Sequence, residues 1–316
     1  MDIKISRRTF VVAGAASAAL GTMPAGAQTA TDKPLRWIVY QSPGGLIDGS
    51  TRAIQPFLKN LGFDSTIDYV RGASGRIART QVVRANPDGM TIMTEASPEE
   101  VLGEVVYNAE YKVADLQPIF GWFVNAFNLY VAKTSPIKTM ADFIAEGKKR
   151  TINIGTIGKG GPSHLQVALL KSRLGLNLQL VHFNGGAPAY AALSGGHVEA
   201  AIGGSSSVRW ADTLTFLGVF KDVRDSALPD VATLKEMGHD IPSINEVIYV
   251  HTGPGVPAAR VAALTAAFTK AFGDPEAIAA QKKLGVEVTP LSPADLKKLL
   301  AQMNAIVNEY KGELAG

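Results

Sequence analysis

Residues 35–45 have the sequence LRWIVYQSPGG and indicate an α/β fold. The first six are apolar and β-branched for the most part, which is typical of a short buried strand. The Ser-Pro-Gly-Gly exit then leads into residues 47–61, where apolar side chains recur at helical spacing until Gly62. A strand, a glycine-rich loop and a helix in this order predict a parallel sheet covered by helices.

The same unit recurs along the chain. Residues 65–70 and 90–94 are predicted strands on either side of a helix over residues 77–85. A second series begins with a strand at residues 151–156, and its further members are a helix over 164–174 and strands at 179–183 and 198–202. The sequence therefore predicts an α/β molecule with two lobes, each a mostly parallel sheet flanked by helices, and a cleft between them.

The lobe boundaries follow from two extended segments. Residues 129–132 and 247–250 are candidates for the crossings between the lobes, so that the intervening chain is an inserted second lobe. Amphipathic helices over residues 258–272 and 293–310 would complete the first lobe. The predicted boundaries are residues 28–132 and 249–316 for lobe 1 and residues 133–248 for lobe 2.

The amino terminus predicts export. Ser6-Arg7-Arg8-Thr9-Phe10 is a twin-arginine motif, followed by the apolar run Val11 to Leu20. Ala25-Gly26-Ala27 has the small-x-small pattern that a signal peptidase cleaves. The apolar run is about ten residues long, too short for the roughly 20 that span a bilayer. Residues 1–27 are therefore a predicted twin-arginine signal peptide of a soluble periplasmic protein, with export of the unfolded chain by the general pathway as the alternative.

Composition excludes several classes of function. Without residues 1–27 the chain has 28 basic and 27 acidic side chains, and there is no basic run with interleaved aromatic residues, so no nucleic-acid partner is predicted. The absence of cysteine excludes disulfides, thiolate nucleophiles and thiolate metal sites. The five histidines form no i,i+4 pair, and no metal or cofactor is predicted.

Glycine-rich loops after the strands are candidates for anion binding. Residues 43–48, 158–164 and 184–187 each lead from a strand into a helix. The start of such a helix presents unpaired N–H groups and a partial positive charge, which favour a carboxylate. Tight turns without a ligand are the alternative for any one of these loops.

Catalytic patterns are weak in comparison. Gly203-Gly204-Ser205-Ser206-Ser207 follows a strand, but it lacks the Gly-x-Ser-x-Gly arrangement of a nucleophile elbow. The pair Glu99-Glu100 is typical of the acidic first turn of a helix. The alternative function is a secreted α/β hydrolase or transferase that uses a serine at 205–207, and it requires a base such as His182 or His251 within hydrogen-bonding distance.

Short motifs in a characteristic order give the chain a family resemblance. They are Pro43-Gly44-Gly45-Leu46-Ile47-Asp48, residues 71–78 (RGASGRIA), residues 85–91 (ANPDGMT), residues 160–165 (GGPSHL), residues 183–189 (FNGGAPA), residues 193–199 (LSGGHVE) and residues 228–238 (LPDVATLKEMG). Together they resemble the solute receptors of the tripartite tricarboxylate transporters, also called the Bug family. The resemblance covers nearly all of the chain from Leu35 to Tyr310.

The resemblance implies a two-lobe fold of the periplasmic-binding-protein type II class. It also implies a receptor without catalytic function that captures a small organic carboxylate between its lobes. Partners would be the membrane permease subunits or a sensor kinase ectodomain, and the receptor is predicted to be a monomer. The predicted ligand-binding residues are Pro43, Gly44, Gly45, Leu46, Ile47, Asp48, Arg71, Ser74, Glu95, Ser97, Pro162, Ser163, His164, Gly185, Gly186, Ala187, Gly204 and Ser205.

Three charged residues depart from the family pattern. Arg71 and Arg76 add positive charge near the predicted cleft, at positions where the family usually has proline and a small or polar residue. Glu95 follows a predicted strand, where the family more often has small residues. Glu95 would face the ligand and favour a solute with an amine or hydroxyl group, or it would pair with Arg71 or Arg76.

Overall fold

The computed structural model describes residues 33–41, 43–157, 161–183 and 185–314. The predicted signal peptide, residues 1–27, lies outside the described residues, as do Ser42, residues 158–160 and Asn184 of the predicted loops. Among the described residues, no helix has both the length and the apolar character needed to cross a membrane.

Strands and helices alternate along most of the chain, as the sequence predicts. Short 3-10 helices cover Ala73–Gly75, Val113–Asp115 and Ser205–Thr213. The other elements are β1 Leu35–Val39, α1 Leu46–Asn60, β2 Ser65–Tyr69, α2 Arg76–Val83, β3 Thr91–Ser97, α3 Glu99–Val105, β4 Gln117–Asn125, β5 Phe127–Ala132, α4 Met140–Lys149, β6 Ile152–Ile157, α5 Pro162–Leu174, β7 Leu178–Phe183, α6 Gly186–Ser194, β8 Ala200–Gly204, β9 Leu214–Val219, β10 Glu246–Thr252, α7 Ala258–Phe272, α8 Pro275–Lys283 and α9 Pro293–Leu314.

These strands form two five-stranded sheets of the same design. The first has the order β2-β1-β3-β10-β4 and the second has the order β7-β6-β8-β5-β9. In the first sheet β1 pairs in parallel with β2 and β3, whereas β10 is antiparallel to both of its neighbours. In the second sheet β6 pairs in parallel with β7 and β8, and β5 is antiparallel to both of its neighbours. The predicted two-lobe α/β fold with mostly parallel sheets is confirmed.

The chain changes sheets at Ala126, between β4 and β5, and returns between β9 and β10. Both segments predicted as crossings are strands that pair within one sheet, because β5 pairs with β8 and β9, and β10 pairs with β3 and β4. The sheet pairing therefore assigns residues 127–132 to the second sheet. The lobe boundaries at residues 132 and 248 stay a prediction.

Each sheet has its own apolar core, and a third core joins the lobes. Trp122 and Phe123 pack in the first core and Phe127 packs in the second. The shared core contains Leu165 and Leu169 of α5, Val101 of α3 and Leu300 of α9, among others. Helix α9, which was predicted to help complete lobe 1, packs against α3 and α5, and these two helices follow strands of different sheets.

Candidate functional site

A cavity of about 540 Å³ lies where the carboxyl ends of several parallel strands meet. Ligands settle at such strand ends in open parallel sheets because loops from different strands converge there. Both sheets contribute to the wall. It is lined by Gln41, Leu46, Ala73, Ser74, Arg76, Glu99, Leu102, Gly103, Tyr107, Asn125 and Glu246 from the first part of the fold, and by Phe127, Ile157, Gly161, Pro162, Ser163, Phe183, Gly185, Gly186, Gly204 and Arg209 from the second.

Seven of the predicted ligand-binding residues line this cavity. They come from loops that are far apart in the sequence, so the fold brings the first-lobe loop and the second-lobe helix starts to one space, as expected. The seven are Leu46, Ser74, Pro162, Ser163, Gly185, Gly186 and Gly204. The predicted residues outside the lining are Pro43, Gly44, Gly45, Ile47, Asp48, Arg71, Glu95, Ser97, His164, Ala187 and Ser205.

Asp48 holds the loop before α1 through hydrogen bonds within the protein. Its buried carboxylate accepts hydrogen bonds from the Gly44 N–H (2.8 Å), from Arg52 Nε (2.9 Å) and from the Tyr69 hydroxyl. Burial raises the pKa of Asp48, but these three donors outweigh it and hold the pKa below the usual range. Asp48, a predicted ligand-binding residue, therefore holds the turn before α1.

Glu95 forms a buried ion pair beneath the cavity. Arg79 Nε and Nη2 donate to its two carboxylate oxygens at 2.5 and 2.6 Å, and both side chains are fully buried. Burial alone would raise the pKa of Glu95, but the Arg79 guanidinium lowers it to about 2. Of the two interpretations of Glu95, pairing with an arginine matches this contact, but the partner is Arg79 and not Arg71 or Arg76. Arg79 also donates to the Ser74 carbonyl at 2.8 Å, which supports the cavity wall.

Two helix starts on the second-lobe side face the cavity, and no side chain among the described residues caps them. The N-cap residues of α5 and α6 are Gly161 and Gly185, which have no side chain to accept the first N–H groups. Ser163 does not take this role, because its hydroxyl exchanges two 2.8 Å hydrogen bonds with the backbone of Ile157. Free N–H groups and the helix dipole make such starts attractive to an anion.

His164 lies on another side of α5. Its ring centroid is 4.8 Å from that of His182, and His164 lines a separate pocket with Leu176 and Leu180. The helical turn explains this placement, because neighbouring residues point about 100° apart and Ser163 already faces the strand end.

Asn125 connects the two sheets at the cavity. Its side-chain Nδ2 donates to Glu246 Oε2 at 2.9 Å, and its Oδ1 accepts from the Ser205 N–H at 2.9 Å. Glu246 begins β10 of the first sheet, whereas Ser205 follows β8 of the second. Gly204 is required beside this bridge because a Cβ there would overlap the side-chain amide of Asn125.

Of the residues that the structure describes, four with charged side chains line the cavity. Arg76 stacks on Tyr107, with 4.9 Å from its guanidinium carbon to the ring centroid, and Arg209 stacks on Trp210 at 4.2 Å. Burial raises the pKa of Glu99 to about 7, helped by the charges of Glu95 and Glu246 and opposed by Arg79. Burial also raises the pKa of Glu246. The cavity therefore has cationic groups and two acidic groups that resist ionisation.

Comparison with known proteins gives this cavity a context. A family model described as the tripartite tricarboxylate transporter family receptor matches residues 51–309. The chain belongs to this receptor family. A Cupriavidus necator protein, named as the UPF0065 protein in the gbd 5' region, is 30% identical over 259 residues, which cover 74% of this chain and 75% of that protein.

Solved structures of similar proteins agree with the receptor fold. A TctC solute binding protein from Polaromonas is 25% identical, with a TM-score of 0.79 over 89% of this chain and 97% of that one. The structure of R. palustris Rpa4515 with adipate is 24% identical, with a TM-score of 0.72 over 90% of this chain and 97% of that one.

Membership of the receptor family settles the broad function. The protein is a periplasmic solute-binding receptor that works with the permease of a tripartite tricarboxylate transporter. The hydrolase alternative is not favoured, because the family consists of receptors. His251 lies in the first sheet, 3.6 Å from Glu95, and His182 contacts the Thr156 hydroxyl at 2.7 Å. Within the described residues no cluster of acidic and histidine side chains could hold a metal ion.

The sequence predicted positive charge near the cleft at Arg76, which lines the cavity, but it did not indicate Glu99, Glu246 or Arg209. Glu99 was assigned to the acidic first turn of a helix, which is confirmed for α3, but its place in the cavity was not foreseen. Arg79 was overlooked, although it shares a helix face with the buried Ala78 and Val82, and this pattern could have identified it. Asn125 and Glu246 could have been found only by a weak pattern: each is a polar residue at one end of an apolar strand.

We expect Gly204→Ala to destabilise the receptor by about 1–3 kcal/mol, since the added methyl group pushes Asn125 off its bridge between the sheets. Urea denaturation measures this loss. Gly312→Ala in α9 is the matched control, because a Cβ there meets no atom within 4 Å. The double variant Gly204→Ala with Asn125→Ala should lose less than the sum of the single variants, since the overlap is gone. Additive losses would contradict this account of the bridge.

Proposed function

We propose that this receptor captures a small organic carboxylate in the cavity between its sheets. The observation that carries the proposal is that the starts of α5 and α6 converge on one cavity. The N-cap residues of both helices are glycines. Arg209 adds a positive charge on the same side. A carboxylate there would accept backbone N–H groups from both helices.

Closure of the lobes would strengthen these contacts. Ala126 and the segment 220–245 are the two connections between the sheets, and we propose that the lobes move about them. Water excluded from the closed cleft lowers the local dielectric, so each charged contact to the solute becomes stronger. The permease would then recognise the closed form. A sensor kinase ectodomain is a further proposed partner, and the receptor would act as a monomer.

The proposed route to the periplasm is the twin-arginine pathway, with residues 1–27 as the signal peptide. The motif Ser6-Arg7-Arg8-Thr9-Phe10 and the site Ala25-Gly26-Ala27 support it. We further propose that the receptor has no catalytic activity of its own.

A thermal-shift screen of the mature protein tests carboxylate capture. A carboxylate that binds only the folded state, present at a hundredfold excess over its Kd, should raise the Tm by roughly 5 °C. Pentanoate is a suitable first probe, and pentanamide is its control because it keeps the carbon chain without the charge. The compounds recovered afterwards should be unchanged by NMR. Equal shifts with pentanoate and pentanamide, or conversion of a bound acid, would contradict the proposal.

A further inference from the structure

Two acidic side chains line the cavity on the first-lobe side, where a receptor for simple anions would not need them. Glu99 begins α3 and Glu246 begins β10. Within the described part of the chain Glu99 has one ion-pair partner, Arg79 Nη2 at 3.8 Å, and that guanidinium is already bonded to both oxygens of Glu95. Glu246 accepts the Asn125 amide and forms no ion pair among the described residues.

The two carboxyl groups are therefore incompletely neutralised by the protein. At pH 8, above the pKa of Glu99, a second carboxylate from a solute would lie near an ionised Glu99 in a partly buried space, and like charges at close range are repulsive. A positive group on the solute would instead complete the pairing, as buried charges require. Burial raises the pKa of Glu99 to about 7, and a cation beside its carboxylate would lower that pKa and favour the ionised form.

We infer that the solute carries a protonated nitrogen as well as a carboxylate, with the nitrogen between Glu99 and Glu246 and the carboxylate at the starts of α5 and α6. This inference rests on the proposed carboxylate capture and names the class of solute. The first-lobe side of the cavity would then bind the positive group of the solute, and the second-lobe side would bind its carboxylate. The apolar side chains of Leu46, Phe127 and Phe183 line the same space and would contact the carbon skeleton between the two charged groups.

Isothermal titration with isosteric pairs tests the inference. In 4-aminobutanoate and pentanoate, and in 4-(aminomethyl)benzoate and 4-ethylbenzoate, the ammonium group replaces a methyl group on the same skeleton. At pH 8 we expect the ammonium member of at least one pair to bind about tenfold more tightly or better, because charged hydrogen bonds replace an apolar contact. Equal or weaker binding of both ammonium members would overturn the inference.

The variants Glu99→Gln and Glu246→Gln assign the preference to the two acidic residues. Each should reduce the ammonium preference about tenfold and leave the methyl isostere nearly unaffected, since glutamine keeps the size and loses the charge. Glu110→Gln is the matched control, because Glu110 is exposed and pairs with Arg84 away from the cavity. A preference that survives both cavity variants would overturn the inference.

The pH dependence separates ammonium solutes from dicarboxylates. Burial and the charges of Glu95 and Glu246 raise the pKa of Glu99, whereas Arg79 and Tyr40 lower it. Arg76 lines the same cavity. As pH rises from 6 to 8, Glu99 loses its proton, so affinity for 4-aminobutanoate should rise and affinity for adipate should fall. The opposite order would contradict a cation site at Glu99.

The outcomes distinguish this inference from the function on which it rests. Binding of adipate and pentanoate without any ammonium preference would overturn the inference and leave carboxylate capture intact. A complete lack of binding by all five acids, in a protein that is folded by circular dichroism, would count against both.

Discussion

Arg79→Met should destabilise the receptor by about 3–5 kcal/mol at pH 7.5, the largest loss that we expect from a single substitution outside the apolar cores. Arg79 and Glu95 are both fully buried and joined by two hydrogen bonds. Removal of the guanidinium leaves the Glu95 carboxyl without its partner, so that it must either remain a buried charge or take up a proton. The Ser74 carbonyl at the cavity wall loses its donor as well.

Urea denaturation of the mature protein measures this loss. Arg84→Met is the matched control on the same stretch of chain, because Arg84 and Glu110 are both about 70% exposed and should contribute little. Arg79→Lys should fall between the wild type and Arg79→Met, since it keeps the charge without the paired geometry. A loss below about 1 kcal/mol for Arg79→Met would show that the buried pair is unimportant for stability.

The same pair predicts acid sensitivity. The pKa of Glu95 is lowered from its usual value to about 2 in the folded state, so the unfolded chain binds its proton first as the pH falls. The stability from this carboxylate is thus complete above pH 4.5 and is lost between about pH 4.5 and 2. In Arg79→Met this acid-dependent loss should be absent.

Glu100→Gln should stabilise the receptor at pH 8 by on the order of 2–4 kcal/mol and leave its stability at pH 5 nearly unchanged. Glu100 is fully buried, and burial, helped by the charge of Glu95, raises its pKa to about 8. Between pH 5 and 8 the unfolded chain releases this proton while the folded protein retains it. The wild type therefore loses stability as the pH rises, and a neutral glutamine removes that loss.

Urea titrations at pH 5, 6.5 and 8 measure the effect. Glu99, with a pKa of about 7, acts in the same direction, so Glu99→Gln combined with Glu100→Gln should flatten the pH dependence further. Glu110→Gln provides the exposed control. If Glu100→Gln kept the wild-type decline between pH 5 and 8, Glu100 would not be the group that titrates.

Local patterns in the sequence predicted the strands and helices whose ends surround the cavity. The Pro43-Gly44-Gly45 exit from β1 and the Gly161-Pro162 start of α5 both appear where glycine and proline punctuate apolar runs. The ligand role predicted for Asp48 stays a prediction, because the local pattern does not tell a ligand contact from a contact within the loop. An aspartate at a helix start can accept donors from a ligand or from its own loop, and only the positions of Arg52 and Tyr69 favour the loop.

Apolar periodicity and turn residues act over a few neighbouring positions, so local sequence was enough to predict the order of α/β units and the glycine-rich helix starts. Which side chains face the cavity depends on how these units pack. Asn125, Gly204 and Glu246 meet across more than 100 residues of chain because β5 and β10 insert antiparallel between parallel strands of their sheets. The pairing of Glu95 with Arg79 likewise follows from how α2 packs on β3. Burial then sets the charges of these groups, and burial is a property of the packed fold.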